Sequence, residues 1–326
     1  MKLRSWVTIA LLAASAAGVR AEQIAVGNYA VSANGMPFGV ALVKGYFKEE
    51  GLDVTGLISS AGGGTSLRNM LAGGGVPYGE VNPGVVVSAI LAGADLKIIS
   101  DNVLTVAEFV WAVKKDSPIK SVKDFKGKKI GYTNPRSTSQ ALDMMLLQSA
   151  GMKPTDAELV KTGGFGEGIA ALDSGQIDIA PITEPLWSKV KDKYRAVVVA
   201  SDILPPLDNV VGVATVEMME KKGDFIRGVI RARRKAVIFM REHPDEAAEI
   251  VAKQYNIDLD VAKSAVRNLT TSTTKGVPYW GEGEIHLEGL KRMIEAQRAV
   301  GAINGEVDYN KIIDTRFLPD DLKKVR

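Results

Sequence analysis

The chain contains no cysteine, which excludes disulfides, thiol catalysis and cysteine-ligated zinc or iron–sulfur centres. Histidine is nearly as scarce: His243 and His286 stand far apart without ligand spacing and read as solvated or structural side chains. Nothing calls for a metal or a cofactor. Beyond the N-terminal segment no stretch reaches the roughly 18 apolar residues of a membrane-spanning helix, so the mature protein is expected to be soluble. An excess of one charge is missing too. Loss of Lys2, Arg4 and Arg20 with that segment leaves 41 − 3 = 38 basic residues against 38 acidic, whereas a nucleic-acid binder keeps a basic excess. The one basic cluster, Arg231 to Lys235, lies in a helical pattern with Phe225, Val229, Ala236 and Phe239 inward, and reads as a solvated helix face. Catalytic signatures are absent as well. There is no G-x-S-x-G elbow, no Gly-Lys-Ser/Thr phosphate loop, and Gly62-Gly63-Gly64 is not G-x-G-x-x-G.

What is present begins with Met1 to Ala21, which has a basic start (Lys2, Arg4), an apolar run from Trp6 to Ala17, and Val19-Arg20-Ala21 before Glu22. This pattern reads as an export signal, and its run of roughly a dozen residues is too short to span a bilayer. With no cysteine after it to carry a lipid, the expected destination is the periplasm. At 326 residues, 46% hydrophobic and 24% charged, the remainder has the composition of a globular protein and the length for two lobes.

From Gln23 onward short β-rich runs alternate with helical patterns, the signature of an α/β fold with parallel strands. Ile24 to Asn28 reads as a strand, Pro37 suits the first turn of a helix that stops near Gly51, and Asp53 to Ser59 is the next strand. A short strand around Tyr78, a helix opened by Asn82-Pro83-Gly84, and the runs Leu96 to Ser100 and Phe109 to Val113 complete a first sheet. Near Lys114 the pattern restarts with Lys128 to Tyr132, a helix from Ala141 to Ala150, and strands at Glu158 to Lys161, Ile177 to Ala180 and Ala196 to Ala200. Gly62, Gly63, Leu71, Gly74 and Val76 stand opposite Gly163, Gly164, Leu172, Gly175 and Ile177 at one offset, 163 − 62 = 101 residues, so the two halves are expected to share an architecture. After Pro205-Pro206 and a strand at Val210 to Thr215 the chain is helical, with no new sheet to cover, and should return to the first lobe. The expectation is two doubly wound sheets joined by two hinge crossings near Lys114 and Leu207. Residues 22–113 and 208–326 would form one lobe and 114–207 the other.

In open parallel sheets ligands bind beyond the carboxyl ends of the strands, so two facing lobes bring two such edges to one cleft. The loops so placed offer Asn34 and Met36, then Ser60, Gly63, Gly64 and Thr65, then Glu80 and Asn82. Their counterparts on the second lobe are Asn134, Arg136, Ser137 and Thr138, then Gly164 and Phe165, then Glu184 and Trp187. Ser137 and Gln140 have capping-box spacing, and the hydroxyls of Ser137, Thr138 and Ser139 sit where the unpaired N–H groups of a new helix point. An ordinary N-cap gives the same spacing. Arg136 beside that helix start would clamp an anion, would pair with Glu184, or would face water. Glu80 and Glu184 favour an amine or N–H donor instead, while Phe165 and Trp187 could stack on a ring or seal the cleft.

The segments LVKGYFKEEGLDV (Leu42 to Val54), FKGKKIGYT (Phe125 to Thr133), STSQALDMMLLQSAGMKPTD (Ser137 to Asp156) and SGQIDIAPITEP (Ser174 to Pro185) resemble the nitrate, sulfonate, taurine and thiamine-pyrimidine group of periplasmic substrate-binding proteins, which feed ABC importers. The resemblance implies the second periplasmic-binding-protein topology, hinge closure on a small polar or anionic solute, and a membrane permease as partner to a monomer. A pyrimidine or aromatic-ring solute is the alternative. Pyrimidine-synthesising and menaquinone-pathway enzymes resemble the same fold, and a sensor domain that docks to a receptor would look the same. Many members of the group carry a small residue where this chain has Arg136.

Overall fold

Short β-branched runs bounded by glycine, proline and asparagine can bury both faces only if helices cover them, and the chain folds that way. The computed structural model describes residues 22–60, 63–72 and 76–325; the expected export segment, Gly62 and Gly74 lie outside them. The strands are β1 (Glu22–Gly27), β2 (Val54–Ser60), β3 (Gly79–Val81), β4 (Leu96–Val103), β5 (Phe109–Lys114), β6 (Lys129–Tyr132), β7 (Glu158–Lys161), β8 (Ala180–Thr183), β9 (Tyr194–Val199) and β10 (Val210–Thr215). A small hairpin of β11 (Thr273–Thr274) and β12 (Val277–Pro278) precedes β13 (Trp280–Gly283).

One six-stranded sheet runs in the order β13-β4-β10-β3-β1-β2. Within it β1 pairs parallel with β2 and β3, while β10 lies antiparallel between β3 and β4. In the other half β6 pairs parallel with β7, and β5 is antiparallel to both β8 and β9. Gly131 N donates to Ile179 O at 2.9 Å, bridging the two groups into the order β7-β6-β8-β5-β9. The sheets thus share one five-stranded plan, β2-β1-β3-β10-β4 matching β7-β6-β8-β5-β9, in which the antiparallel member is the strand that follows a chain crossing; β13 adds a further antiparallel edge to the first sheet. This is a two-lobed α/β fold, with mixed sheets where parallel ones were expected.

One strand assignment needs correction. Phe109–Lys114 does not complete the first sheet: it pairs along Ala180–Thr183 and Tyr194–Val199, so the first crossing is at 104–108 rather than near Lys114. Its residues are buried on both faces, and such a run carries no periodicity to say which sheet it joins.

After β10 the helix Gly223–Glu242 covers the first sheet, burying Ile226, Val229, Ile230, Ala236, Val237 and Met240 in one core with Ile24, Val26 and Ile98. The second lobe has its own core around Trp111, Phe125, Ile130 and Leu146. Met293, from the helix Leu287–Ala299, is buried in that second core, so the C-terminal helices touch both lobes.

Candidate functional site

Between the two sheets lies a cavity of about 340 Å³, within the range of small-molecule sites. The first lobe contributes Gly27, Asn28, Ser32, Asn34, Gly64, Glu80 and Asn82, the second Thr133 to Ser139, Phe165 and Thr183, and the crossings Glu108, Phe109, Asn209 and Val210.

Local sequence explains how these side chains are held. Asn82 precedes Pro83 at the start of the helix Pro83–Leu91; its Oδ1 accepts from Gly84 N at 2.9 Å as an N-cap. The amide nitrogen is left free to reach outward, and donates to Thr138 Oγ1 at 2.8 Å across the cleft and to Asn209 O at 3.3 Å. Opposite, Ser137 caps Thr138–Ser149 by accepting from Gln140 N at 3.2 Å. The expected capping box closes one residue early, Gln140 Oε1 accepting from Arg136 N at 2.7 Å. Ser139 Oγ accepts from Thr133 N at 3.0 Å, so the serine hydroxyls brace the turn before they can meet a ligand.

Arg136 has a φ of +66°, the left-handed region that costs a non-glycine residue energy and persists where surroundings hold it. Its side chain is exposed at the cavity edge, makes no ion pair among the described residues, and is the one cation lining the cavity. Pairing with Glu184 is overturned. Glu184 is buried and its oxygens accept from Ser188 N at 3.1 Å, Ser188 Oγ at 3.0 Å and Asn268 Nδ2 at 2.8 Å.

Glu80 forms the first lobe's floor. It is fully buried, and its two oxygens accept from Asn34 Nδ2 and Asn102 Nδ2, each at 2.7 Å. Donors on both oxygens, with Arg233 Nε 3.6 Å away, mark it as a carboxylate, although burial pulls its pKa upward against Arg233, Asn34 and Asn102. Here the reading of Arg231 to Lys235 as a solvated face fails at one position. Arg233 is 2% exposed and donates to Gly281 O at 2.7 Å and Asn102 O at 2.6 Å. Its spacing from Val229, Ile230, Ala236 and Val237 puts it on the apolar face, which was readable in the sequence. Arg231, Arg234 and Lys235 pair at the surface with Glu50, Glu282 and Asp321, and Glu49 and Glu50.

Several candidates sit elsewhere. Met36 is fully buried in the first core, because the first turn of Met36–Lys44 turns it inward. Trp187 packs half-buried against a separate cluster of the second lobe around Ala112, Leu172 and Ile182. Ser60 accepts from Asn69 Nδ2 at 2.6 Å and Thr65 Oγ1 from Arg68 Nη2 at 2.9 Å, so both are occupied locally; Gly63 begins the helix Gly63–Leu71. Gly164 belongs to a neighbouring compartment of about 610 Å³, which shares Asn28, Ser32, Asn134 and Phe165 with the cavity and adds Val31, Leu186, Ile257 and Val261.

Residues on the crossings were missed. Glu108 is buried and its Oε1 accepts from Asn209 Nδ2 at 2.6 Å. Burial pushes its pKa up to about 7, against the lowering pull of Tyr279 and Asn209. Phe109 meets Phe165 edge-on, centroids 5.9 Å apart.

The NMT1/THI5-like family model matches residues 32–247. Among curated relatives, a putative aliphatic sulfonates-binding protein of Escherichia coli K12 is 26% identical over 219 residues, 66% of either chain. A protein of the same description from Bacillus subtilis 168 is 23% identical and covers 88% of this chain and 85% of its own. The riboflavin-binding protein RibY of Chloroflexus aurantiacus is 21% identical over 87% of this chain and 82% of its own. Among solved structures, the periplasmic aliphatic sulphonate-binding protein SsuA of Escherichia coli superposes with a TM-score of 0.76 at 20% identity, covering 90% of this chain and 92% of that one. The desulfurization enzyme DSZB also superposes, with a TM-score of 0.64 at 13% identity over 91% of this chain and 97% of that one. Both likenesses are of fold.

Proposed function

The chain belongs to the NMT1/THI5-like family, in the nitrate, sulfonate, taurine and thiamine-pyrimidine group of substrate-binding proteins, and from that premise we propose that it captures a small anionic organic solute for an ABC importer. The observation that carries this reading is the cavity itself, walled by both lobes and by both crossings, with Arg136 as the one lining cation among the described residues. A solute touching both walls stabilises only the closed form. A differential affinity of about 5.5 kcal/mol carries the closed form from about 1% to about 99%, and a permease can then read closure. On this reading the lobes divide at 104–108 and 204–209, the protein is exported as a monomer to the periplasm through its N-terminal segment, and it performs no chemistry.

A ring-bearing solute is the second reading, favoured by Phe109 and Phe165 on the cavity wall. A thermal-shift screen of sulfonates, nitrate, carboxylates, pyrimidines and aromatic acids separates the two. A ligand at one hundred times its Kd adds about 2.7 kcal/mol to native stability, a rise of roughly 4 °C at the usual unfolding entropy. Arg136→Ala should weaken a bound anion roughly 10- to 100-fold, the worth of a hydrogen bond to a charged group. Unchanged anion affinity in that variant sinks the clamp, and turnover of any ligand sinks the non-enzymatic reading.

A further inference from the structure

Glu108 stands in the wall of a cavity read above as receiving an anion, which is the wrong charge in the wrong place. It is 3% exposed, and it lies where the first crossing enters β5. One oxygen, Oε1, accepts from Asn209 Nδ2. The other, Oε2, is buried without a hydrogen bond of ordinary length among the described residues, as is the hydroxyl of Tyr279, which interacts with this carboxylate. The groups that face it are the Tyr279 hydroxyl, the Asn209 amide and the carboxylates of Glu184 and Glu80. None of these is a cation. Glu80 is balanced by Arg233, so an ionised Glu108 would cancel Arg136 and leave the cavity with no net attraction for an anion. A neutral Glu108 leaves Arg136 as the one uncompensated charge among the described residues that line the cavity, and supplies an O–H on Oε2.

We propose that Glu108 meets the solute as a neutral carboxylic acid, its Oε2–H donating to an oxygen of the anionic head, so that each anion captured carries one proton into the complex. This rests on the anionic reading of the cavity and adds to it a specificity-determining residue. An anion with acceptor oxygens is selected, and a cationic or amine-bearing head, which would need Glu108 ionised, is disfavoured. Burial, with Glu184 and Glu80 adding to it, raises the Glu108 pKa to about 7, so the proton is held under mildly acid conditions and lost under alkaline ones.

The test is calorimetric titration of butanesulfonate, which stays ionised throughout, into the wild type and Glu108→Gln between pH 6 and pH 9. With a carboxyl titrating near 7, the protonated fraction of the free protein falls from about nine-tenths to about one-hundredth, and wild-type affinity should fall roughly 90-fold. The Gln side chain can keep its oxygen on Asn209 and present N–H where Oε2–H stood, so its affinity should change less than about threefold over the same range. Independently of any variant, titrations at pH 8 in buffers of different ionisation enthalpy should report the uptake of close to one proton per anion. A wild-type affinity that is flat or rises with pH, or a Gln variant that keeps the full slope, overturns the proposal while leaving the anion site standing. Absence of butanesulfonate binding at every pH overturns the anion reading itself.

Discussion

Replacing Arg233 with methionine tests how the cavity floor is held. The guanidinium is 2% exposed, donates to Gly281 O at 2.7 Å and Asn102 O at 2.6 Å, and sits 3.6 Å from a Glu80 carboxylate that is fully buried. Methionine fills the volume but strips Glu80 of its counter-charge and leaves two carbonyls without donors. Breaking a buried ion pair from one side costs about 3–5 kcal/mol. With an unfolding entropy of roughly 2.1 cal/mol/K per residue over 326 residues, that is a melting-temperature fall of roughly 4–7 °C. Glu80→Gln in the same background removes the stranded charge while keeping an oxygen for one of the two asparagine amides. The double variant should therefore cost less than the sum of the singles by about 1–3 kcal/mol. The assay is urea denaturation followed by circular dichroism for the four proteins of the cycle, with m-values compared so that a change in the unfolded state is not mistaken for a change in the folded one. A cost below about 1 kcal/mol for Arg233→Met, or strict additivity in the double variant, refutes the pairing.

Two further outcomes follow from the same geometry. Thr138→Val removes the acceptor for Asn82 Nδ2 across the cleft but leaves the Asn82 cap on Gly84 N; unliganded protein should then scatter X-rays with a larger radius of gyration while stability changes by no more than about 1.5 kcal/mol. An unchanged scattering curve would show that this bond does not hold the lobes. At the second crossing, Asp208 is fully buried beside Asp101 and 3.1 Å from His286 Nδ1. Burial pushes Asp208 up to about 8 and, with Asp208 as neighbour, raises Asp101 well above the usual carboxylate range. Both therefore hold protons in the folded state that the unfolded chain has released. The contribution of Asp208 is complete below the unfolded pKa of about 4 and is lost as pH rises through about 8, and that of Asp101 is lost in the same direction. Melting temperature should fall across that window, less steeply in Asp208→Asn, and a flat or rising curve in the wild type would contradict it.

The repeat of strand, helix and strand was legible because each element carries its own local signal. The helix starts at Asn82-Pro83 and at Ser137 lie on the cavity because capping residues name a helix end, and a helix end after a parallel strand names a sheet edge. Phe109–Lys114 was misplaced because pairing of a doubly buried strand is a tertiary fact, with no trace in local pattern. That error has a consequence for the site. The rule that ligands sit beyond carboxyl ends holds for parallel strands, whereas β5 and β10 run antiparallel to their neighbours and present their amino ends to the cleft. Glu108, Phe109, Asn209 and Val210 enter the cavity for that reason. Met36, Glu184 and Trp187 mark the complementary failure. A loop can be placed at the right edge from sequence, but which of its side chains turn toward the core is set by packing.

The crossing residues also bear on how capture couples to motion. Glu108 belongs to the first crossing and Asn209 to the second, and their side chains are joined at 2.6 Å. Asn209 N donates to Val103 O at 2.8 Å, and Asn209 O accepts from Asn82 Nδ2, the same amide that reaches Thr138. Glu108, Asn209, Asn82 and Thr138 are therefore one hydrogen-bonded set that ties both crossings to the two walls of the cleft. A solute that engages Glu108 on the proposed reading acts on both crossings directly, and differential binding to open and closed forms needs no relay through the cores. It follows that substitutions within this set should alter affinity and the open–closed balance together, whereas substitution of Arg136, exposed at the rim, should alter affinity alone.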